Sequence, residues 1–156
     1  MVKLFYMIRP FSEIDLPELI LMEQLTQLAP WSEDTFTQCF KLGSCGWVIE
    51  HDNRSIGFVI LMQQMGECHI LNICIHPDYQ HRGFGQQLLL HVLKAAKEKN
   101  AGIAYLEVRR SNQHAISLYK KMGFVEIGDR KNYYPAKKGR EDAILYAKDL
   151  GVDDEL

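Results

Sequence analysis

The stretch Ile70–Leu90, ILNICIHPDYQHRGFGQQLLL, most constrains what this chain can fold into. An apolar run from Ile70 to Ile75 breaks at His76-Pro77. A polar turn follows, then Gln80-x-x-Gly83-x-Gly85, and a periodic apolar segment opens at Phe84. That order predicts a strand, a glycine-bearing loop and a helix whose first N–H groups face the loop. Those groups have no intrahelical partner and the helix dipole adds positive potential there, so the position suits an anion. Gly83 and Gly85 carry no Cβ and let a phosphate approach the backbone. The pattern is neither G-x-G-x-x-G nor a loop ending in Gly-Lys-Ser/Thr, and read alone it also fits a tight turn that uses glycine.

The rest of the chain supplies strands and helices around that unit. Its 156 residues suffice for one domain that buries about 70% of its unfolded surface. Leu4 to Arg9 reads as a first strand ended by Pro10. Ser12-x-x-Asp15 and Pro17 announce a helix with a broad apolar face through Leu16, Leu19, Ile20, Met22, Glu23 and Leu25, out to about Leu28. Ala29-Pro30-Trp31 breaks it, and Ser32-x-x-Thr35 caps a shorter helix carrying Phe36, Cys39, Phe40 and Leu42. Gly43 to Gly46 reads as a turn, Trp47 to Glu50 and Ser55 to Gln63 as strands about the polar turn His51 to Arg54, and Cys68 to Ile75 as the strand entering the loop. Beyond the loop, Leu88, Leu89, Val92, Leu93 and Ala96 recur at helical spacing to about Asn100. A strand over Ile103 to Val108, a helix over Asn112 to Met122, a strand start at Gly123 to Gly128, a loop over Asn132 to Arg140 and a last strand over Asp142 to Ala147 complete the chain. The tail from Asp149 is acidic and is expected to fray. The expectation is one α/β (α+β) domain with a mixed central sheet over residues 1–150 and an acidic tail at 151–156.

Composition excludes several function classes. A formal charge of -2 gives no support for a nucleic-acid binder. Cys39, Cys45, Cys68 and Cys74 form no C-x-x-C pair, so no metal is expected, and small buried thiols in a reducing cytoplasm are the simple reading. No apolar run approaches the ~18 residues of a membrane span and no signal peptide stands at the start, so neither a membrane nor export is expected.

Three further positions bear on chemistry. Glu107 lies in the otherwise apolar run Ile103-Ala104-Tyr105-Leu106-Glu107-Val108. An unpartnered buried carboxylate is strongly disfavoured, so Glu107 faces a solvated cleft as a general base, pairs with Arg109 on the same strand face, or has a raised pKa. Asn112 and Tyr119 stand seven apart, two helical turns on one face, and would look out at the same place; an ordinary core-edge tyrosine is the alternative. His76, His81 and His114 show no ligand spacing and read as solvated.

Together these pieces resemble the GCN5-related N-acetyltransferase (GNAT) superfamily. Gln80-His81-Arg82-Gly83-Phe84-Gly85 is similar to its pyrophosphate-binding motif, and Leu106-Glu107-Val108-Arg109, Ser111-Asn112, Ala115-Ile116, Leu118-Tyr119 and Gly123-Phe124 follow in the family's order. Pro30-Trp31-Ser32, Asn72-Ile73, Asn132-Tyr133-Tyr134-Pro135 and Gly139-Arg140-Glu141-Asp142-Ala143 resemble the RimI-type ribosomal-protein-alanine N-acetyltransferases of bacteria, over roughly Ile8 to Ala147. Two departures are His81, where relatives often carry Arg or Gln, and Cys74, where a small residue is frequent.

The resemblance implies a GNAT-type sheet with helices on both faces and acetyl-CoA as co-substrate. It implies that Ile73, Cys74 and Ile75 hold the acyl end, that His81, Arg82, Gly83, Phe84, Gly85 and Gln86 hold the pyrophosphate, and that Asn112 also contacts the cofactor. Glu107 would be the general base and Tyr119 the general acid. A phenol is a weaker acid than a thiol, so full transfer to the departing thiolate is uphill by about 2 kcal/mol and a hydrogen bond to it is the easier role. Trp31, Tyr133, Tyr134 and Arg140 would meet the acceptor, in the related enzymes the N-terminal alanine of a small-subunit ribosomal protein. The competing readings are acetylation of a small amine or a lysine side chain, and a non-catalytic acetyl-CoA-binding module.

Overall fold

The computed structural model describes residues 5–151; the start of the expected first strand and nearly all of the expected tail lie outside them. Seven strands and four helices follow in the order β1 (Met7–Pro10), α1 (Leu16–Thr26), α2 (Glu33–Lys41), β2 (Cys45–His51), β3 (Arg54–Gln64), β4 (Glu67–Ile75), α3 (Phe84–Glu98), β5 (Ile103–Arg109), α4 (Gln113–Lys121), β6 (Val125–Pro135) and β7 (Arg140–Asp149). The hydrogen-bonded strand order is β1-β2-β3-β4-β5-β7-β6. β4 and β5 pair in parallel while β1–β2, β2–β3, β5–β7 and β6–β7 pair antiparallel, so the sheet is mixed as expected.

The chain divides into two compact units, the first running up to Met62 and resuming over Asn72–Val92, the second comprising Gln63–Leu71 and the residues from Leu93 on. In the first unit the pairs Val48↔Phe58 and Gly46↔Ile60 set one face of β2 and β3. Val48, Phe58 and Ile60 join Cys74, Leu19 and Met22 of α1 and Phe36 of α2 in a buried apolar cluster. Trp47, on the opposite face by strand alternation, meets His91 of α3 edge-on at 5.2 Å between ring centroids. Helices therefore cover both faces here. The β2–β3 turn uses Asp52 and Asn53, both left-handed (φ 53° and 60°), which are the residue types that tolerate the paired positive φ of a two-residue hairpin.

Several boundaries shift for physical reasons. Cys45 and Gly46, expected in a turn, belong to β2: Phe11 N–H donates to Gly46 C=O, and a Cβ on Gly46 would come within 2.9 Å of Val59 O. α1 stops at Thr26, two residues short of expectation, because Gln27 turns to extended backbone. The helix start announced by Ser12 and Asp15 is preceded by a short 3-10 turn, Glu13–Asp15, where Ser12 N–H donates to Asp15 Oδ2 at 2.8 Å and Asp15 N–H to Ser12 C=O at 2.9 Å.

In the second unit β5 alternates cleanly, with Ala104, Leu106 and Val108 buried. It pairs with β7 from Ile103↔Asp149 to Arg109↔Ala143. Tyr119 and Ile116 of α4 are buried, Tyr119 lying 6.0 Å from Phe124 and 6.5 Å from Tyr146 between centroids. The expected Asn132–Arg140 loop is a correction. Asn132 to Pro135 continue β6, and Tyr134↔Glu141 and Pro135↔Arg140 pair across a register shift. The shift is taken up at Asn132, whose φ is 52° and whose N–H donates to Asp142 Oδ1 at 3.0 Å. The expected fraying does not begin at Asp149: Asp149 closes β7 and Leu150 is buried, its N–H donating to Gly102 C=O at 2.8 Å.

Candidate active site

In the first unit the strand–loop–helix forms as the sequence predicts. His81 (φ 61°) and Gly83 (φ 89°) turn the chain through left-handed backbone, and α3 opens at Phe84. The first loop-to-helix bond is Gln87 N–H to Gly83 C=O at 3.2 Å, so the N–H groups of Phe84 and Gly85 precede any intrahelical pairing. Gln80 braces the loop by donating its side-chain amide to Ile75 C=O at 2.8 Å. Beneath it Phe84 is buried against His51 and Tyr79, at 5.1 and 6.4 Å. The Arg82 guanidinium lies 5.3 Å from the Tyr79 ring centroid and 5.7 Å from that of Phe84. A positively charged arginine, helix N–H groups and a left-handed turn make a donor set that fits a pyrophosphate.

His76 is not solvated as expected. Its Nδ1 accepts from Asp78 N–H at 3.1 Å, capping the 3-10 turn Pro77–Tyr79, and its ring meets Tyr79 edge-on. His81 and His114 are exposed.

The end of β4 carries Asn72, Ile73, Cys74 and Ile75. Cys74 is buried, its sulfur 3.1 Å from Thr26 Oγ1. Burial pushes its thiol up to about 12; the Thr26 hydroxyl opposes the rise and the Glu23 carboxyl adds to it. Cys74 therefore behaves as a small hydrophobe and not as a nucleophile. A Cβ on Gly57 of β3 would lie 2.7 Å from Cys74 O and 2.5 Å from Ile75 Cδ1, so glycine is what lets β3 lie this close.

Beside this strand end stands a residue the sequence reading folded into the apolar face of α1. Glu23 is 1% exposed. Its Oε2 accepts from Trp31 N–H at 3.0 Å and from the Asn72 side-chain amide at 2.9 Å, while Oε1 has no partner among the described residues. Burial pushes its carboxyl above the usual glutamate range, with the Trp31 and Asn72 bonds opposing the rise. The available signal was a lone acid between Met22 and Leu19 on a face otherwise facing the core. Trp31 itself is half-buried, packed edge-on against Phe36 at 5.2 Å.

In the second unit the β4–β5 ladder runs from Glu67↔Ile103 to Ile70↔Leu106, and Glu107 follows directly on its last pair. Glu107 pairs with neither Arg109 nor the interior. Arg130 Nε of β6 donates to its Oε1 at 2.9 Å, and its side chain keeps 30% exposure. Arg109 turns instead to Glu141 Oε1 at 2.9 Å and lies over the Tyr134 ring at 4.6 Å. Tyr134 stands within electrostatic range of both Glu107 and Tyr119. Burial first, then the Glu107 carboxylate and Tyr133, push the Tyr134 phenol up to about 12, against Arg109 and Arg130. The Tyr119 phenol is pushed well above its ordinary value by burial and, secondly, by Tyr134.

Asn112 and Tyr119 do not look out at one place. Asn112 is exposed and caps α4, its Oδ1 accepting from Ala115 N–H at 3.2 Å, whereas Tyr119 is buried. The cap leaves the Asn112 side-chain N–H groups as donors. Of the expected acceptor residues, Tyr133 is exposed and meets Tyr134 edge-on at 4.9 Å. Arg140 spends its guanidinium on the β6–β7 hairpin, donating to Asn132 C=O and Tyr133 C=O at 2.7 and 2.8 Å. No helix among the described residues is long and apolar enough to cross a membrane.

Comparison with known proteins gives this geometry a context. Residues 9–124 match the acetyltransferase (GNAT) family model. The chain is 38% identical over 138 residues to the [ribosomal protein bS18]-alanine N-acetyltransferase of Escherichia coli (strain K12), covering 88% of this chain and 93% of that one. The crystal structure of the ribosomal-protein-S18-alanine N-acetyltransferase from Escherichia coli superposes with a TM-score of 0.90 at 34% identity, covering 97% of both chains. A GNAT family acetyltransferase from Elizabethkingia anophelis, solved with acetyl-CoA bound, superposes with a TM-score of 0.75 at 26% identity over 92% of this chain and 97% of that one.

Proposed function

The chain belongs to the acetyltransferase (GNAT) family, and on that premise we propose that it transfers the acetyl group of acetyl-CoA to the N-terminal α-amine of a protein, the N-terminal alanine of ribosomal protein bS18. The observation that carries this reading is the near full-length likeness to the Escherichia coli enzyme, which spans both the loop and the β5–β7 residues. The catalytic domain is taken as residues 1–150 and the setting as the cytoplasm.

Acetyl-CoA supplies an acyl group activated as a thioester. The loop donors His81 to Gln86 would neutralise its pyrophosphate, with Asn112 as a further donor, and the backbone of Ile73 to Ile75 would hold the acyl end. A free α-amine has a pKa of about 7.7–8.0 and is mostly protonated near pH 7. Glu107 removes that proton, directly or through water, with Arg130 holding one of its oxygens. The nitrogen lone pair attacks the carbonyl carbon, the C–N bond forms, the C–S bond breaks, and the proton that the attacking nitrogen gives up balances the one that the leaving thiolate takes. Tyr119 serves as a neutral hydrogen-bond donor to that sulfur, because burial makes its phenol a still weaker acid than usual. Trp31, Tyr133 and Tyr134 receive the acceptor peptide, and Arg140 shapes the hairpin that carries the two tyrosines.

The deciding experiment is mass spectrometry of ribosomal proteins treated with the enzyme and acetyl-CoA. One acetyl group on the bS18 N-terminus is expected. Turnover confined to polyamines or lysine peptides would overturn the acceptor, and no thiol release with any amine would leave a binding module.

A further inference from the structure

Glu23 is a buried acid on an otherwise apolar helix face. Its carboxylate is taken out of water with two hydrogen bonds on one oxygen and none on the other. An apolar side chain of the same length in that place would avoid desolvating the carboxyl but would leave Trp31 N–H and the Asn72 amide without this acceptor. What the carboxylate supplies instead is a geometry. One oxygen hydrogen-bonds to two segments at once: the α1–α2 connection at Trp31, and β4 at Asn72, two residues before Cys74.

The two segments differ in how firmly they are otherwise held. β4 is a strand of the sheet, and just beyond its end His76 N–H donates to Ile56 C=O at 2.7 Å, so its position does not depend on Glu23. The connection from Gln27 to Ser32 has no helix or strand of its own, and Ala29 and Pro30 are exposed. It is tethered at Trp31 by the bond to Glu23 and by the ring packed on Phe36.

We propose that Glu23 is a positioning residue, which pins the acceptor-side Trp31 to the acyl-side strand at Asn72 and so sets where the acceptor chain lies relative to the thioester. This rests on the acetyl-transfer reading, in which Trp31 meets the acceptor and Ile73 to Ile75 hold the acyl end. Glu23 does not touch the reacting atoms. Its hydrogen-bond acceptor, not its charge, is what matters, because Trp31 N–H and the Asn72 amide are both neutral donors.

The test is steady-state kinetics of the full chain with an N-terminal-alanine peptide and acetyl-CoA, alongside thermal melts. Glu23→Met removes both bonds and is expected to raise the peptide KM about tenfold or more and to leave the acetyl-CoA KM within about twofold. Glu23→Gln keeps an acceptor oxygen and is expected to bring the peptide KM back to within about threefold. Asn72→Leu cuts one bond from the other side and is expected to raise the peptide KM by an intermediate factor, which covers the case in which Glu23→Met does not fold. An unchanged peptide KM in Glu23→Met or, failing its folding, in Asn72→Leu overturns the proposal. So does a loss that falls equally on acetyl-CoA and tracks a lower melting point, as a merely structural role would give. Should the parent acetylate only another amine, the acceptor reading fails by itself, and the same KM split measured on that amine decides Glu23.

Discussion

Glu23 and Glu107 are both glutamates near proposed site segments, and their surroundings are opposites. Glu23 sits in a dry region: it is buried on α1, whose Leu19 and Met22 join Phe36 and Cys74 in an apolar cluster, and its partners are neutral N–H groups. Glu107 sits in a wetter one, where Arg130, Arg109, Glu141, Arg110, Asp129, Asp142 and Lys131 form ion pairs along β5, β6 and β7 that range from mostly buried (Arg109–Glu141) to exposed (Lys131–Asp129). In the dry region a small change of shape is felt because nothing can flow in to fill it. In the wet region water and salt replace a lost partner at little cost, which suits a residue that must exchange protons.

The largest effect that tests this contrast is on the dry side. Phe36→Ala is expected to cost about 3–5 kcal/mol of unfolding free energy by urea titration, the range for emptying a packed aromatic site. A loss below about 1 kcal/mol would mean that the cluster relaxes like a surface. On the wet side Glu107→Gln is expected to keep the fold and lower kcat/KM for an alanine-terminated peptide about 10²-fold at pH 7. That deficit should shrink as pH rises past the α-amine pKa of about 7.7–8.0, when the amine loses its proton unaided. A deficit constant from neutral to alkaline pH removes Glu107 as the base.

Tyr119→Phe comes next, with a loss of about tenfold in kcat and unchanged acetyl-CoA affinity, the scale of one hydrogen bond to a developing charge. Parental turnover would take Tyr119 out of the mechanism. The smallest effect separates the two regions by sign. Folded Glu23 holds its proton to higher pH than the ordinary 4.5, so parental stability relative to Glu23→Gln should fall as pH rises above about 4.5. Folded Glu141 is held below that value, chiefly by Arg109, so its contribution is present above about 4.5 and is lost as pH falls through the folded value, as comparison with Glu141→Gln would read. Slopes of the same sign in melting point against pH would break the distinction.

Much of this molecule is legible in its sequence. Local rules placed Ser32 as the cap of α2, a polar turn over His51 to Arg54 and a stop of α3 at Asn100; Asp52, Asn53 and Asn100 are left-handed in the structure. They also placed the apolar strand before a glycine loop and helix. Each rests on backbone conformations that the residue type itself prefers, so no distant contact is needed. The loop over Asn132 to Arg140 was misread for the same reason. Asn, Tyr, Pro, Lys and Gly there look like loop residues, but pairing with β7 turned the first four positions into strand, and Arg140 locks the hairpin through two carbonyls. Burial by β7 and Gly102 likewise overrode the acidic look of the chain near Asp149.

The sequence alone determined the elements whose cause is local: the Ile70–Leu90 strand, loop and helix, and the caps and turns. Only the tertiary structure decided the partners. It gave Glu107 to Arg130, gave Arg109 to Glu141, and buried Tyr119 beside Tyr146 while leaving Asn112 exposed on the same helix. It also made Glu23, an unremarked member of an apolar face, the link between Trp31 and Asn72. Those residues lie 8 and 49 positions from it in sequence. A side chain's period tells which way it points, but what it meets there depends on elements that only the folded chain brings near.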